Sequence, residues 1–228
     1  QTPKDPLFTQ WQNKFYTDTF VFHVQDTWKV LPTLTIMAGM KLEQVNTNGT
    51  LPVAAIPQSL ASSDKGSKTL DSNTNTAQGG TISAFKPFLP AIGAVWDFTK
   101  HEQVFVNIQK NMNSFAESGY GTTSPWGVSS QSEFEAFKKN GKPETSWTYE
   151  AGLRTFRPLN AGFLRSISGQ LEYYHVNFYN RLGAISQPDA GISGVGTTIA
   201  NLGNVTTDGV DMAFTLRLGE NWSLYDAV

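Results

Sequence analysis

The sequence predicts an all-β fold: about eight antiparallel strands in a meander, with the pattern of a segment of transmembrane β-barrel wall. Three observations carry this. Apolar and polar residues alternate over long runs, the period of a strand with one apolar face. Short and long connections alternate strictly, as in membrane barrels with tight turns at one end and large loops at the other. Aromatic residues gather toward strand ends, where girdles would meet the two interfaces. The alternation alone fits a soluble antiparallel sheet with one wet face equally well. The asymmetry of the connections favours the barrel.

The elements follow in order. In residues 20–30, FVFHVQDTWKV, Phe20, Phe22, Val24, Trp28 and Val30 share one face, with Asp26 as the polar exception. After Leu31-Pro32, residues Leu34, Ile36, Ala38, Met40 and Leu42 alternate with Thr35, Gly39, Lys41 and Glu43, so the two runs form a hairpin. Phe88, Ile92, Ala94, Trp96 and Phe98 make the next apolar face, followed by Val104, Val106 and Ile108. Trp147, Tyr149, Ala151 and Leu153 alternate with Thr148, Glu150, Gly152 and Arg154. Residues 166–182 change phase, from Ile167 and Leu171 to Tyr174, Val176 and Phe178, which predicts a bulge near Glu172. Val210, Met212, Phe214 and Leu216 form the seventh strand, and WSLYDAV begins an eighth. Short turns are expected at 31–32, 99–102, 158–162 and 219–221, and long connections at 47–83, 116–144 and 187–197. The even faces of 20–45 and 88–108 are expected to point to lipid and the odd faces to a wet lumen.

Composition excludes several functions. The chain has 228 residues, no Cys and a net charge of -2, with 16% charged and 12% aromatic residues. Zero Cys removes disulfides, thiol nucleophiles and cysteine metal sites. The near-neutral charge leaves no basic footprint for nucleic acid. No apolar run is long enough for a transmembrane helix. His23, His101 and His175 lie on three elements without ligand spacing, so no metal is expected. Glu150 and Arg154 share a strand face and read as lumen charges set against neighbouring strands, as do Lys41 and Glu43. Asp64, Lys65 and Asp71 fall in a Ser/Thr/Asn-rich loop, and GVSS and GISGVG read as loop punctuation. No catalytic grouping and no cofactor is expected. One segment departs from the strand pattern: SEFEAFKKNG, 132–141, predicts a short helix. Ser132 and Glu135 read as a capping box, Phe134 and Phe137 share a face, and Asn140-Gly141 supplies the stop.

Four stretches together resemble a known family. VQDTWKVLPTLTIMAGMKLE resembles a hairpin of TonB-dependent outer-membrane receptors of the siderophore-receptor type, and FKPFLPAIGAVWDFTKHEQVFVNIQKNM is similar to their next hairpin. KPETSWTYEAGLRT resembles their "kPE…yE.G.k" strand, and IANLGNVTTDGVDMAF their "N.G.v.t.GvE" start of a strand, with Asp211 at the usual Glu. The order and spacing of the four cover nearly the whole chain.

The resemblance implies that residues 1–228 are part of a 22-stranded barrel in the outer membrane of a Gram-negative bacterium. It implies TonB-energised uptake of a scarce ligand, most often a ferric siderophore, with outer-membrane lipid and TonB as partners. TonB would act through an N-terminal part, and both the plug domain and the closing strands are expected to lie outside this chain. Ligand contacts are then expected from Phe115, Tyr120 and Trp126 around the 116–144 connection, and from Arg181 near a strand top. A soluble β binding or adhesion domain, and a passive diffusion porin, are the alternatives.

Overall fold

The computed structural model describes residues 14–51, 79–115, 124–128, 131–186 and 197–228. Among them are eight strands: β1 Phe15–Leu31, β2 Leu34–Thr50, β3 Gly79–Asp97, β4 Glu102–Asn113, β5 Glu144–Ala161, β6 Leu164–Ser186, β7 Thr197–Leu218 and β8 Trp222–Ala227. They form one antiparallel sheet in the order β1 to β8. A 3-10 turn, Pro125–Gly127, and helix α1, Gln131–Asn140, lie between β4 and β5. No described helix is long and apolar enough to cross a membrane, which says nothing of strands.

A consecutive antiparallel meander puts alternate connections at opposite ends. The four tight turns close one end, as the sequence predicts, and the strand ends joined by the three long connections lie at the other; 52–78, 116–123 and 187–196 of those connections lie outside the described residues. The strands run further than expected. β2 continues to Thr50 and β3 starts at Gly79, because the polar stretch Asn46–Asn48 still pairs with 81–83. β5 continues to Ala161, so its turn is Gly162-Phe163, with Gly162 at φ 58°.

Two faces follow from the register. Trp28, Ile36, Ala94, Val106, Ala151, Tyr173 and Val210 stand side by side from β1 to β7. This is the outer face. Phe22, Ile92, Trp96 and Val210 there are 51–61% exposed, and no second sheet covers them. Lys41, Gln103, Asn107, Glu150, Arg154, Gln170 and Glu172 occupy the inner face. Their bonds cross strands: Asn107 Nδ2 donates to Glu150 Oε2 at 2.8 Å and Arg154 Nε to Gln170 Oε1 at 2.9 Å. Gln170 Nε2 donates on to Glu172 Oε2 at 2.7 Å, and Lys41 pairs with Glu43 at 2.7 Å. Arg154 also lies 4.0 Å over the Phe105 ring.

The predicted bulge near Glu172 is not there. β6 keeps unbroken register with β5 from Ser166 to Tyr179; against β7 it shifts between Leu164 and Ser166, and again on both sides of Arg181, between Phe178 and Leu182, where Asn180 adopts φ 55°. Tyr173 and His175 are therefore outer residues and Tyr174, Val176 and Phe178 inner ones. Amphipathic Tyr and His at outer positions blurred the alternation. Tyr174 lies inward over Gly209, where a Cβ would stand 2.2 Å from its ring. A second shift, between Lys41 and Glu43 of β2, spans Lys86 to Leu89 of β3. It sends Phe85 outward and buries Leu89.

At the short-turn end the outer face turns polar. Glu102 accepts hydrogen bonds from the Thr99 hydroxyl and from Arg157 Nε.

Candidate functional site

The long-connection end carries the only described cluster of buried apolar side chains. Val45, Ile82, Ala84 and Leu89 of the inner face meet Phe115, Trp126, Val128, Phe134 and Phe137. The segment between β4 and β5 thus folds down onto the inner face, beside the strands rather than within the wall. Helix α1 forms where the Phe134/Phe137 spacing predicts it, and both rings are buried. Ser132 does not stand at the helix boundary that the expected capping box needs. The helix starts at Gln131, one residue earlier, so Ser132 lies within its first turn. Glu135 instead accepts from Gln131 Nε2 at 3.0 Å, and the same amide donates to the Gly79 carbonyl at 3.1 Å. Asn140 closes the other end by donating to the Ala136 carbonyl at 3.1 Å.

Trp126 is the anchor. Its backbone N–H donates to Ser124 Oγ at 3.3 Å, which starts the 3-10 turn, and Pro125 follows at a position that needs no donor. The indole is fully buried. It lies edge-on to Phe15 at 5.6 Å, tilts against Phe134 at 6.1 Å and donates Nε1–H to the Gly80 carbonyl at 3.0 Å. The seat exists because Gly49 and Gly80 are register partners without side chains. A Cβ on Gly49 would lie 2.6 Å from the Phe15 ring and 2.7 Å from the indole. Gly49→Ala is therefore expected to lift Trp126 and make 124–141 sensitive to protease. Gly169→Ala, whose Cβ would meet nothing closer than 3.5 Å, should leave digestion unchanged.

The second cluster is at the β6 bulge. Arg181 reaches Glu144 at 3.9 Å and lies 4.7 Å over the Phe178 ring. Arg181 is 45% exposed and Glu144 15%, so the guanidinium keeps free surface while its partner is mostly covered. Asn201 of β7 ties this corner together. Its Nδ2 donates to the carbonyls of Asn180 at 2.7 Å and Lys142 at 3.0 Å, and its Oδ1 accepts from the Lys142 N–H at 3.1 Å. A crevice of about 330 Å³ opens between α1 and β7, lined by Val128, Ala136, Phe137, Asn140, Ala200 and Asn201. At the opposite end a wider recess of about 890 Å³ is bordered by Gln103, Arg154, Phe156 and Gln170.

The four expected ligand residues therefore separate. Phe115 packs edge-on against Phe137 at 5.5 Å and is buried, and Trp126 is buried beside it. Both rings are engaged in holding the segment down. Arg181 is open to solvent at the rim. Tyr120 lies outside the described residues, as do Asp64, Lys65, Asp71 and GISGVG. The sequence reading missed Asn201, Glu144 and the Gly49/Gly80 seat. Glu144 and Asn201 do stand in two of the stretches that carry the family resemblance, KPETSWTYEAGLRT and IANLGNVTTDGVDMAF. Among the described residues no group of three or more acidic, His or Cys side chains could hold a metal.

The family profile described as TonB dependent receptor-like, beta-barrel, matches residues 1–228. A search of curated proteins gives no match. Among solved structures, the ferric-catecholate import receptor Fiu from K12 E. coli superposes with a TM-score of 0.56 at 15% identity, over 94% of this chain and 28% of its own. The ferric citrate transporter FecA in its unliganded form gives 0.56 at 16%, over 94% and 24%. The FrpB iron transporter from Neisseria meningitidis (F3-3 variant) gives 0.54 at 14%, over 92% and 25%. At these identities the likeness is one of fold. The chain spans about a quarter of each of those structures.

Proposed function

This chain belongs to the TonB-dependent receptor family, as part of its β-barrel, and we propose that it serves the energised uptake of a ferric siderophore. The family and the structures it resembles are receptors and transporters, not enzymes. The family resides in the outer membrane of Gram-negative bacteria, and we place this chain there, its outer face against lipid. The observation that carries the reading is the pairing of an uncovered apolar outer face with a packed loop cluster at one end only. The resembled proteins are named for ferric catecholate, ferric citrate and iron, which favours an iron chelate here.

In this reading TonB acts through an N-terminal part of the whole protein. Arg181 and Tyr120 touch the ligand, and Phe115 and Trp126 support the contact surface from beneath. Arg181 suits an anionic, oxygen-rich chelate, because its guanidinium presents several donors in a fixed plane. The test is uptake of radioactive ferric siderophore by cells expressing the whole receptor. Saturable uptake that an uncoupler abolishes is expected, and Arg181→Ala should weaken ligand binding about tenfold, the scale of one lost charge-assisted contact. Uptake that is linear in concentration and indifferent to the uncoupler would identify a passive channel instead.

A further inference from the structure

Asp26 is the one charged side chain in an apolar stretch of the outer face. Along β1 that face reads Phe20, Phe22, Val24, Asp26, Trp28 and Val30. Across on β2, Asp26 stands beside Ala38, with Met40 beside Val24 and Ile36 beside Trp28. The same row runs on through Ile92 and Ile108. Asp26 is exposed and lies five residues from Leu31, at the tight turn. A residue of a strand tilted about 40° contributes about 2.5 Å along the barrel axis, which puts Asp26 about 12 Å from that end. The apolar band of such barrels is about 25 Å tall, so the carboxylate stands near its middle. A charge there is costly, and such charges are kept by pairing. Among the described residues no cation lies within ion-pair distance of it.

The backbone of β1 shows from which side a partner comes. The Thr50 N–H donates to the Lys14 carbonyl at 3.1 Å, so the backbone of Lys14 faces β2. The register of β1 with β2 is unbroken from Phe15 to Lys29. Alternate residues of an antiparallel strand turn their backbone groups to opposite neighbours, so the even residues face β2 and Thr27 faces the other edge. The Thr27 N–H donates to Asp26 Oδ1 at 2.8 Å. The carboxylate is therefore drawn to the edge of β1 away from β2, where no described strand lies. A barrel wall in lipid leaves no open edge, so another strand of the receptor adjoins β1 there.

We propose that Asp26 is half of a lipid-facing ion pair that locks the register of β1 against this adjoining strand, resting on the reading that the outer face meets lipid. The other half is a Lys or Arg on the outer face of the adjoining strand. A cation is required because the Thr27 N–H supplies a neutral donor and leaves the charge unbalanced. It comes from that edge because every other neighbour on the face, Val24, Trp28, Ile36, Ala38 and Met40, is apolar. The pair discriminates between registers. A slip of one residue turns the cation into the lumen, and a slip of two leaves both charges unpaired in lipid. Fixing register is the best-attested use of a single polar pair in apolar surroundings.

The whole receptor is purified, placed in vesicles without other proteins and unfolded with urea. Asp26→Leu leaves the partner cation unpaired in lipid and should raise the unfolding constant about a hundredfold. Asp26→Asn, of the same shape without the charge, should raise it about tenfold, and carries the test if the leucine variant does not assemble. Asp26→Lys is then combined in turn with each outer-facing Lys or Arg of the adjoining strand changed to Asp. One such exchange, at the partner, should restore stability. Ile92→Lys, in the same row, reports whether that level meets lipid. If Ile92→Lys is costly, the lock alone is overturned by any of three results: Asp26→Leu stabilises the receptor, Asp26→Asn leaves it unchanged, or no exchange restores it. If Ile92→Lys is harmless, the lipid reading falls and the lock with it.

Discussion

Trp126→Ala is expected to release the segment 124–141 from the inner face of the sheet. The side chain is fully buried, packed between Phe15 and Phe134, and its N–H is satisfied by the Gly80 carbonyl. Truncating a buried Trp or Phe to Ala costs about 3–5 kcal/mol. The sheet itself keeps its backbone ladders, so the loss falls on the segment. Amide exchange over 124–141 in the whole receptor should accelerate by about 10² to 10³-fold, at a tenfold change for each 1.4 kcal/mol. Trp126→Phe keeps an aromatic ring, though a smaller one, but removes the indole donor to the Gly80 carbonyl, and should show a smaller effect, about 1 kcal/mol for the lost hydrogen bond. Unchanged exchange in the alanine variant would mean that the glycine seat does not hold the segment.

A lysine at an outer position should destabilise the receptor in lipid far more than one at an adjacent inner position. Ile92 is 52% exposed at the middle of the outer face, with Ala38 and Ile108 beside it. In a bilayer Ile92→Lys is expected to cost about 2–4 kcal/mol, the cost of a cation at the midplane of a barrel. Asn107 stands one residue from Ile108 on the inner face, hydrogen-bonded to Glu150. Asn107→Lys places a cation next to that carboxylate and is expected to cost less than about 1 kcal/mol. Urea unfolding from vesicles measures both. Similar costs at the two positions would fit a sheet wet on both faces.

The strand order, both faces of 20–45 and 88–108 and the ends of the sheet were legible because period-2 alternation fixes which face a residue takes. Helix α1 was legible from Phe134 and Phe137, though its first turn was not: Gln131 reaches the Gly79 carbonyl of a distant strand, a contact that no local pattern encodes. The phase of β6 was misread because Tyr173 and His175 have polar tips at outer positions, while apolar Val176 and Phe178 face inward. The bulge residue is Asn180, at φ 55°, a residue type that tolerates this conformation. The ligand candidates were chosen by residue type, and type does not separate a ring that meets a ligand from one that fills a core. Trp126 and Phe115 are buried by tertiary packing on Gly49, Gly80 and Phe137. Arg181 lies at the rim because a bulge turns it there.

The central claim is that the outer face meets lipid while the inner face meets water. Single cysteines are placed along β4 and β5, which carry none of their own, in the whole receptor freed of any other cysteine, and spin-labelled in vesicles. Labels at 104, 106 and 108 and at 149, 151 and 153 should be relaxed by oxygen, which partitions into lipid. Labels at 103, 107 and 109 and at 148, 150 and 154 should respond to a water-soluble nickel chelate. A period of two with opposite phase for the two reagents is the expected result; equal nickel accessibility along both faces would contradict it.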